Sequence, residues 1–464
     1  MKEYWIETSP ISFLSIYDLH ISMEVNGHGT AIIKGYIEED REEEYAQMLN
    51  GEVWISIVTA DAQENRETIF CGCVTGYLFT LKNAHKAAEI ELKSGTYLMD
   101  IDTHTRFFQD TSVTYGDICG QIRSQNGGQG TEKAPEAGCP VNALVVQYEE
   151  TDWEFITRLL SNCGSYLVPE SRGQGIFYTV GMPEGRERQT GEGVYFYLEK
   201  DLQEFREKKA NGLENISETD CIVCHIQMRE VCSLGDFFRI DGRMMYIYEA
   251  ELNYEQGEII GSYKAKTRNG IKTVKKTAEK ISGVSLEAVV REVKQDKVRL
   301  EIKKDENEGG CQKKWFAVST PYSSVDGTGW YCMPERGDLV RLQFPDALED
   351  NAYVISAVHL QSGDRSNPDH KIFKNRQQKE IRFTPDSILI TNNRGMKIEM
   401  SDGNGIQIES DKSILIKADQ DVNVISGSAS LMLAADTSLV LNQGGTSIQL
   451  EDGIRFMGGE FHVQ

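Results

Sequence analysis

From residue 388 to residue 456, apolar residues come in pairs two positions apart: Ile388/Ile390, Ile398/Met400, Ile406/Ile408, Ile414/Ile416, Val422/Val424, Leu431/Leu433, Leu439/Leu441, Ile448/Leu450 and Ile454/Phe456. From Ile398 onward, the first members of successive pairs are spaced 8, 8, 8, 9, 8 and 9 residues. Gly, Asn, Asp, Ser and Lys stand between them, as in Asp402-Gly403-Asn404-Gly405. Residues at i and i+2 share one face of a strand, so the pattern predicts short strands joined by turns. One octad is too short to carry a chain around its own core, which takes a repeat of at least about 20 residues. Three chains wound about one axis remove the difficulty, because three octads then complete a cross-section. Pairing the backbone between chains also removes exposed strand edges. The period therefore predicts a homotrimer in which residues 384–464 form a C-terminal intertwined triple-stranded β-helix. Its core is Ile398, Met400, Ile406, Ile408, Ile414, Ile416, Val422, Val424, Leu431, Leu433, Leu439, Leu441, Ile448 and Leu450. A single-chain β-solenoid or a β-sandwich with evenly spaced turns is the alternative. The near-constant octad argues against a sandwich, whose strands and loops vary in length.

The rest of the chain reads as mainly β. Residues 11–125 suggest strand after strand: Val53, Ile55 and Ile57 alternate with Trp54, Ser56 and Val58, and Ile90/Leu92 and Tyr97/Met99/Ile101 repeat the period of two. The acidic run 38–44 suits a solvated turn or a short exposed helix, and residues 124–138 a loop. A helix is expected over residues 152–163. Thr151 and Glu154 have the capping-box spacing, Trp153, Ile156, Leu159/Leu160 and Cys163 give one apolar face, and Gly164 supplies the stop. A hydrophilic stretch, 199–218, leads to a barrel-like run over 234–266. Residues 271–281 read as a linker or short helix. Five strand patterns follow: Leu286/Ala288/Val290, Val298/Leu300/Ile302, 315–319, Val340/Leu342/Phe344 and 353–360. Five short strands in this span suit an OB-type barrel.

Composition narrows the function. The 464 residues carry a net charge of −23, and trimerisation would triple it, so nucleic acid is not an expected partner. Residues 264–314 hold 15 Lys/Arg against 8 Asp/Glu, an excess better suited to neutralising acidic neighbours than to binding single strands. Residues 1–20 contain Lys2, Glu3, Glu7 and Asp18 and lack an apolar core segment, so synthesis and folding in the cytoplasm without a signal peptide are expected. Ten irregularly spaced cysteines read as reduced thiols filling space.

Chemistry is sparse. Cys221-Ile222-Val223-Cys224-His225 matches a haem-attachment pattern, but an alternating strand would place Cys221, Val223 and His225 on one side and Cys224 on the other. Zinc on Cys221, Cys224, Cys232 and His225 fits no strong ligand spacing. No nucleophile elbow, HExxH, P-loop or carboxylate cluster is found, and His20, His85, His104, His359 and His370 have no partner visible in sequence. The expectation is no enzyme, no catalytic residue, no metal and no cofactor.

Three segments resemble the hub of VgrG-type spike proteins of contractile injection systems: Ser12-Phe13-Leu14, the run 97–113 with Arg106-Phe107-Phe108-Gln109-Asp110, and the run 146–159 with Gln147-Tyr148-x-Glu150-x-Asp152. Residues 329–344 resemble the OB domain of the same family. The resemblance spans type VI secretion, phage tails, bacteriocins and extracellular injection particles. It implies a hub with two small β-barrels over 1–275, an OB-fold neck over 280–362, a charged connector over 363–383 and the spike over 384–464. It further implies a trimer that caps a hexameric inner tube protein, sits among baseplate proteins and makes transient contact with a target membrane. A PAAR-class tip protein would sit at Gly458, Gly459 and Phe461, with effectors or chaperones attached. The single His462 at the end lacks the paired spacing of an iron-binding tip, and about 20 connector residues cannot hold a lysozyme domain. With nothing after the spike, no appended effector domain is expected. Such a particle component is translocated or extracellular on firing. Alternatives are a trimeric receptor-binding tail fibre or adhesin, whose spike would need exposed aromatics, and a polysaccharide-cleaving β-helix, whose carboxylates would need to cluster. Asp402, Glu409, Asp411, Asp419, Asp421 and Asp436 are instead spread along the turns.

Overall fold

Strands that alternate apolar and polar positions pair wherever one face can be buried, and that rule builds the N-terminal two thirds of the protein. The structure, a computed structural model, describes residues 4–61, 65–82, 85–128, 135–189, 194–213, 215–255, 257–307, 313–359 and 365–459. Two compact units divide the chain, Met1–His359 and Leu360–Gln464.

The first unit contains a 12-stranded sheet. Ten of its strands run in the spatial order Tyr4–Ser9, Trp54–Asp61, Arg66–Lys82, His85–Lys93, Thr30–Tyr36, Ser15–Glu24, Arg243–Glu255, Glu258–Lys266, Ile222–Met228 and Tyr195–Lys200. In Thr30–Tyr36 every second residue is buried, so Ala31 and Ile33 point inward while Lys34 reaches water. Leu19, Ile33, Ile57, Phe70 and Ile90 from one part of the sheet meet Ile226, Phe238, Ile247, Leu252 and Tyr263 from the other in one apolar cluster. The stretch 234–266, read from sequence as a barrel-like run, is hydrogen-bonded into the same sheet as the N-terminal strands.

Helices interrupt this sheet. The acidic run resolves into Glu42–Met48. Tyr115–Gln125 is helical, where alternation had suggested strands. Thr114 and Asp117 form a capping box there, and Ile118 and Ile122, one turn apart, are buried. Asp152–Ser161 carries the expected Thr151/Glu154 capping box, yet it is buried on nearly every side, with Asp152 and Arg158 inside along with the apolar residues. The hydrophilic stretch contains the helix Leu202–Ala210.

Five strands, Ser285–Lys294, Lys297–Ile302, Phe316–Ala317, Leu339–Gln343 and Tyr353–Ala357, form the second sheet of this unit. All five lie at the expected apolar patterns. The first pairs with the second and fourth, the third adds to the second, and the fifth to the fourth. Leu286, Val290, Leu300, Val340 and Leu342 fill its core.

In the second unit, five strands form an antiparallel meander: Lys371–Lys374, Glu380–Phe383, Ser387–Thr391, Met396–Ser401 and Gly405–Ser410. The first two lie in the stretch read from sequence as a connector. A three-stranded meander, Leu439–Gln443, Thr446–Leu450 and Ile454–Met457, follows. No strand is assigned between Ser410 and Leu439. The strand pairing expected between chains is here made within one chain, because turns close locally: Gly395 and Gly405 take φ of 102° and 74°, where a side chain would be strained.

Candidate functional site

The two segments that carry the hub resemblance lie side by side. Thr103–Phe108 pairs antiparallel with Val145–Thr151, Arg106 opposite Gln147 and Phe107 opposite Val146. Successive side chains point to opposite faces. Phe107, with Leu144 and Val146, therefore joins the core of the five-stranded barrel, its ring centroid 6.4 Å from that of Phe344. Phe108 faces the helices and stacks on Phe155 at 5.6 Å. One short strand pair is thus shared by two hydrophobic cores.

Polar groups lock this strand pair from both sides. Asp152 accepts from Arg106 Nη1, from Gln147 Nε2 at 2.8 Å and from Asn126 Nδ2 at 2.6 Å. Arg158, 5% exposed, donates Nε and Nη2 to the two oxygens of Glu150, both at 2.7 Å, Nη2 to the Val146 carbonyl, and Nη1 to Glu349 of the barrel at 2.9 Å. Burial by itself would lower the Arg158 pKa; the bonds and charges of Glu150 and Glu349 outweigh it and hold the guanidinium above its ordinary value.

The barrel reaches back through residues 305–307. Asp305 Oδ1 accepts from the Phe107 amide at 3.1 Å, Glu306 Oε1 from the Thr105 amide at 2.7 Å, and the Glu306 amide donates to the Thr105 carbonyl. Burial pushes the Asp305 carboxyl up. Lys313 pairs with Asp110 at 2.5 Å, and with Ser112 it holds that carboxyl at about 2. His104, which had no partner in sequence, bonds Glu306 Oε2 at 2.8 Å. Glu150 belongs to the motif quoted for the hub resemblance, but Arg158, Glu349 and the 305–307 segment were not singled out from sequence; a charged residue inside the predicted helix and beside its apolar positions was the available signal. The polar groups named at this joint are bonded to one another.

In the second unit the paired apolar residues align across strands. Ile388, Met400 and Ile406 form one row and Ile390, Ile398 and Ile408 the next; Leu439, Leu450 and Ile454 form another, with Leu441, Ile448 and Phe456 beside it. Each sheet thus has one apolar face, and among the described residues nothing covers it: Ile406 is 70% exposed and Ile408 57%. Ile414, Val422, Val424, Leu431 and Leu433, in the stretch without strands, are exposed as well. A continuous apolar surface of this length marks a site of association. Gly458 and Gly459 follow the last strand, Gly458 beside Thr446; Phe461 and His462 lie outside the described residues.

The cysteine pattern does not converge. Cys224 points into the sheet core, while His225 on the opposite face stacks on Tyr197 and bonds Glu199 at 2.9 Å. Among the described residues no group of three His, Cys, Asp or Glu is placed to hold a metal. Much of the basic excess of 264–314 meets acidic residues outside that segment, in Lys264–Glu249, Lys266–Glu204, Lys280–Glu154, Lys313–Asp110 and Lys314–Asp350. No helix among the described residues is long and apolar enough to cross a membrane.

Comparison with known proteins agrees with this geometry. Residues 32–187 match the family model of the phage tail baseplate hub, and residues 286–359 that of the type VI secretion system/phage-baseplate injector OB domain. No curated protein sequence matches the chain. Among solved structures, a component of the Escherichia coli type VI secretion system, c3393, described as similar to the T4 phage tail proteins gp27 and gp5, is 12% identical with a TM-score of 0.54, over 76% of this chain and 100% of that one. The lidded Francisella PdpA–VgrG complex is 10% identical with a TM-score of 0.57, over 88% and 80%. At such identity the likeness establishes the fold: mainly β, with an OB barrel. Both matched families are structural parts of injection machines, not enzymes.

Proposed function

We infer that this chain, a VgrG-type hub-and-spike protein by its two matched domains and its fold, is the central spike of a contractile injection system. Three copies would cap the hexameric inner tube through the hub, narrow at the OB barrel and end in a needle. The carrying observation is the apolar face of residues 388–408 and 439–456, which is aligned across the strands of each sheet and uncovered among the described residues. Threefold association buries that face and completes the backbone pairing of residues 411–438. A trimer would triple the charge of −23, favouring solubility despite so long an apolar stripe. The shared-core joint at Phe107 and Arg158 then passes thrust from the hub to the needle, which concentrates it on a target membrane. The blunt end near Gly458 and Gly459 would seat a PAAR-class tip protein, with effectors or chaperones carried there. Residues 1–275, 280–362, 363–383 and 384–464 take the hub, neck, connector and spike roles.

Electron microscopy of the purified full-length chain tests this reading. Particles with a threefold head and a single slender stalk are expected. Heads bearing three separate flexible tails, or isolated single-chain particles, would overturn it.

A further inference from the structure

The chain crosses from the hub sheet to the barrel over residues 272–278, which belong to no helix or strand. This crossover is tied to the helix Asp152–Ser161 at two places. The Lys276 amide donates to Ser161 Oγ at 2.8 Å, and Lys280 Nζ donates to Glu154 Oε2 at 2.8 Å and to the Glu149 carbonyl at 3.0 Å. Helix and crossover together line a cleft of about 560 Å³. Most of its charges are already answered. Arg158 is spent on Glu150 and Glu349, Lys280 on Glu154, and Glu279 accepts from the Thr277 hydroxyl at 2.6 Å. What remains is a set of donors. Lys275 and Lys276 are exposed and have no carboxylate partner among the described residues. Asn26 accepts the Leu167 amide at Oδ1 and leaves Nδ2 unbonded. Thr157 is 8% exposed, and its hydroxyl bonds to nothing, not even to the carbonyl one turn back that a helical threonine commonly uses.

We propose that this cleft holds a phosphate group, free or carried by a small monoester. A buried hydroxyl without a partner costs stability, and a ligand oxygen supplies the partner. Thr157 reaches it by turning about χ1, for which a helical threonine has two favoured positions. Lys275 and Lys276 set the sign of the ligand, in a chain whose net charge of −23 otherwise repels anions. A carboxylate offers two oxygens, whereas a phosphate offers at least three to donors that stand on both sides of the cleft. Lys275 and Lys276 come from the crossover, Thr157 and Asn26 from the hub. Ammonium groups bonded to phosphate oxygens form the stronger, charge-assisted kind of hydrogen bond. The volume leaves space beside the phosphate for the organic part of an ester. Bound there, the group fastens the crossover to the helix at a third place, so ligand and hub–barrel joint stabilise each other.

Orthophosphate and glycerol phosphate are titrated into the full-length chain and followed by broadening of their phosphorus NMR lines, with acetate as the competing anion. Saturable binding in the millimolar range or tighter is expected, undisturbed by acetate. Replacing both lysines, Lys275→Gln with Lys276→Gln, should weaken it at least about tenfold. Tighter binding of glycerol phosphate assigns the site to an ester, and equal binding assigns it to free phosphate. Thr157→Val keeps the shape of the side chain and removes the hydroxyl. It should weaken binding several-fold while the urea midpoint of the ligand-free chain stays in place or rises, because an unbonded polar atom is removed. A hydroxyl that serves only the fold would leave binding unchanged. Absence of saturable binding for both phosphates, binding that survives the loss of both lysines, or displacement by acetate as readily as by phosphate would each overturn the site.

Discussion

Replacing Arg158 by methionine tests whether the joint is a rigid, electrostatically closed unit. Arg158 satisfies both oxygens of Glu150, one oxygen of Glu349 and the Val146 carbonyl, and the side chains of Glu150 and Glu349 are only 10% and 15% exposed. Four charge-assisted bonds at about 1.5–3 kcal/mol each overstate the effect, because Arg158 also gives up its own desolvation cost. Stranding a buried partner costs about 3–5 kcal/mol in practice. That lowers the folded-to-unfolded ratio by about two to three and a half powers of ten. Urea titration of the full chain, read by tryptophan fluorescence with Trp153 buried on the same helix, gives the value. Adding Glu150→Gln removes the stranded charge, so the double variant should lose at least about 2 kcal/mol less than the sum of the singles. Lys200→Met, at the exposed Lys200–Glu218 pair, should leave the urea midpoint almost unmoved. An Arg158→Met variant within about 1 kcal/mol of the parent, or strict additivity with Glu150→Gln, would refute the reasoning.

Three other outcomes are expected. Asp110, held at about 2 by Lys313 and Ser112, lies below the ordinary carboxylate value of about 3.9, so its contribution is present above about pH 4 and lost as pH falls through about 2; the stability difference between the parent and Asp110→Asn should stay constant from pH 7 to 5, and its disappearance by pH 5 would contradict the pairing. Burial pushes the thiols of Cys224 and Cys232 up to about 11 and about 12, so iodoacetamide at pH 8 should label the exposed Cys139 and Cys332 and spare these two; equal labelling of Cys232 and Cys332 in the native protein would show that the core opens. Ile416→Asp places three carboxylates in the proposed needle core, whereas Leu415→Asp, one position along, points outward; the first should dissociate or loosen the trimer and the second leave its mass unchanged, and identical behaviour would remove the face assignment.

Local periodicity made much of the fold legible. The barrel strands and the capped helix at residues 152–161 follow from residues two or four apart. What escaped depends on contacts distant in sequence. Pairing Thr103–Phe108 with Val145–Thr151 requires partners about 40 residues apart, and no single segment announces it. The role of Arg158 stayed hidden because a pattern of apolar residues cannot show that Glu150 and Glu349 arrive to neutralise it. Tyr115–Gln125 was misread as strand because Gly116, Gly120 and scattered polar residues blur its helical period. The needle's apolar octads were plain, yet turn glycines let neighbouring strands pair within the chain over residues 387–410 and 439–457, which the period alone does not distinguish from pairing between chains.

The mass of the full-length chain in solution, by light scattering, beside a version ending at Lys379, tests the central claim most directly. At 52.2 kDa per chain, the account predicts three times that mass for the full protein and a monomeric or weakened assembly for the truncation. A full-length monomer with residues 388–456 folded on themselves would contradict it.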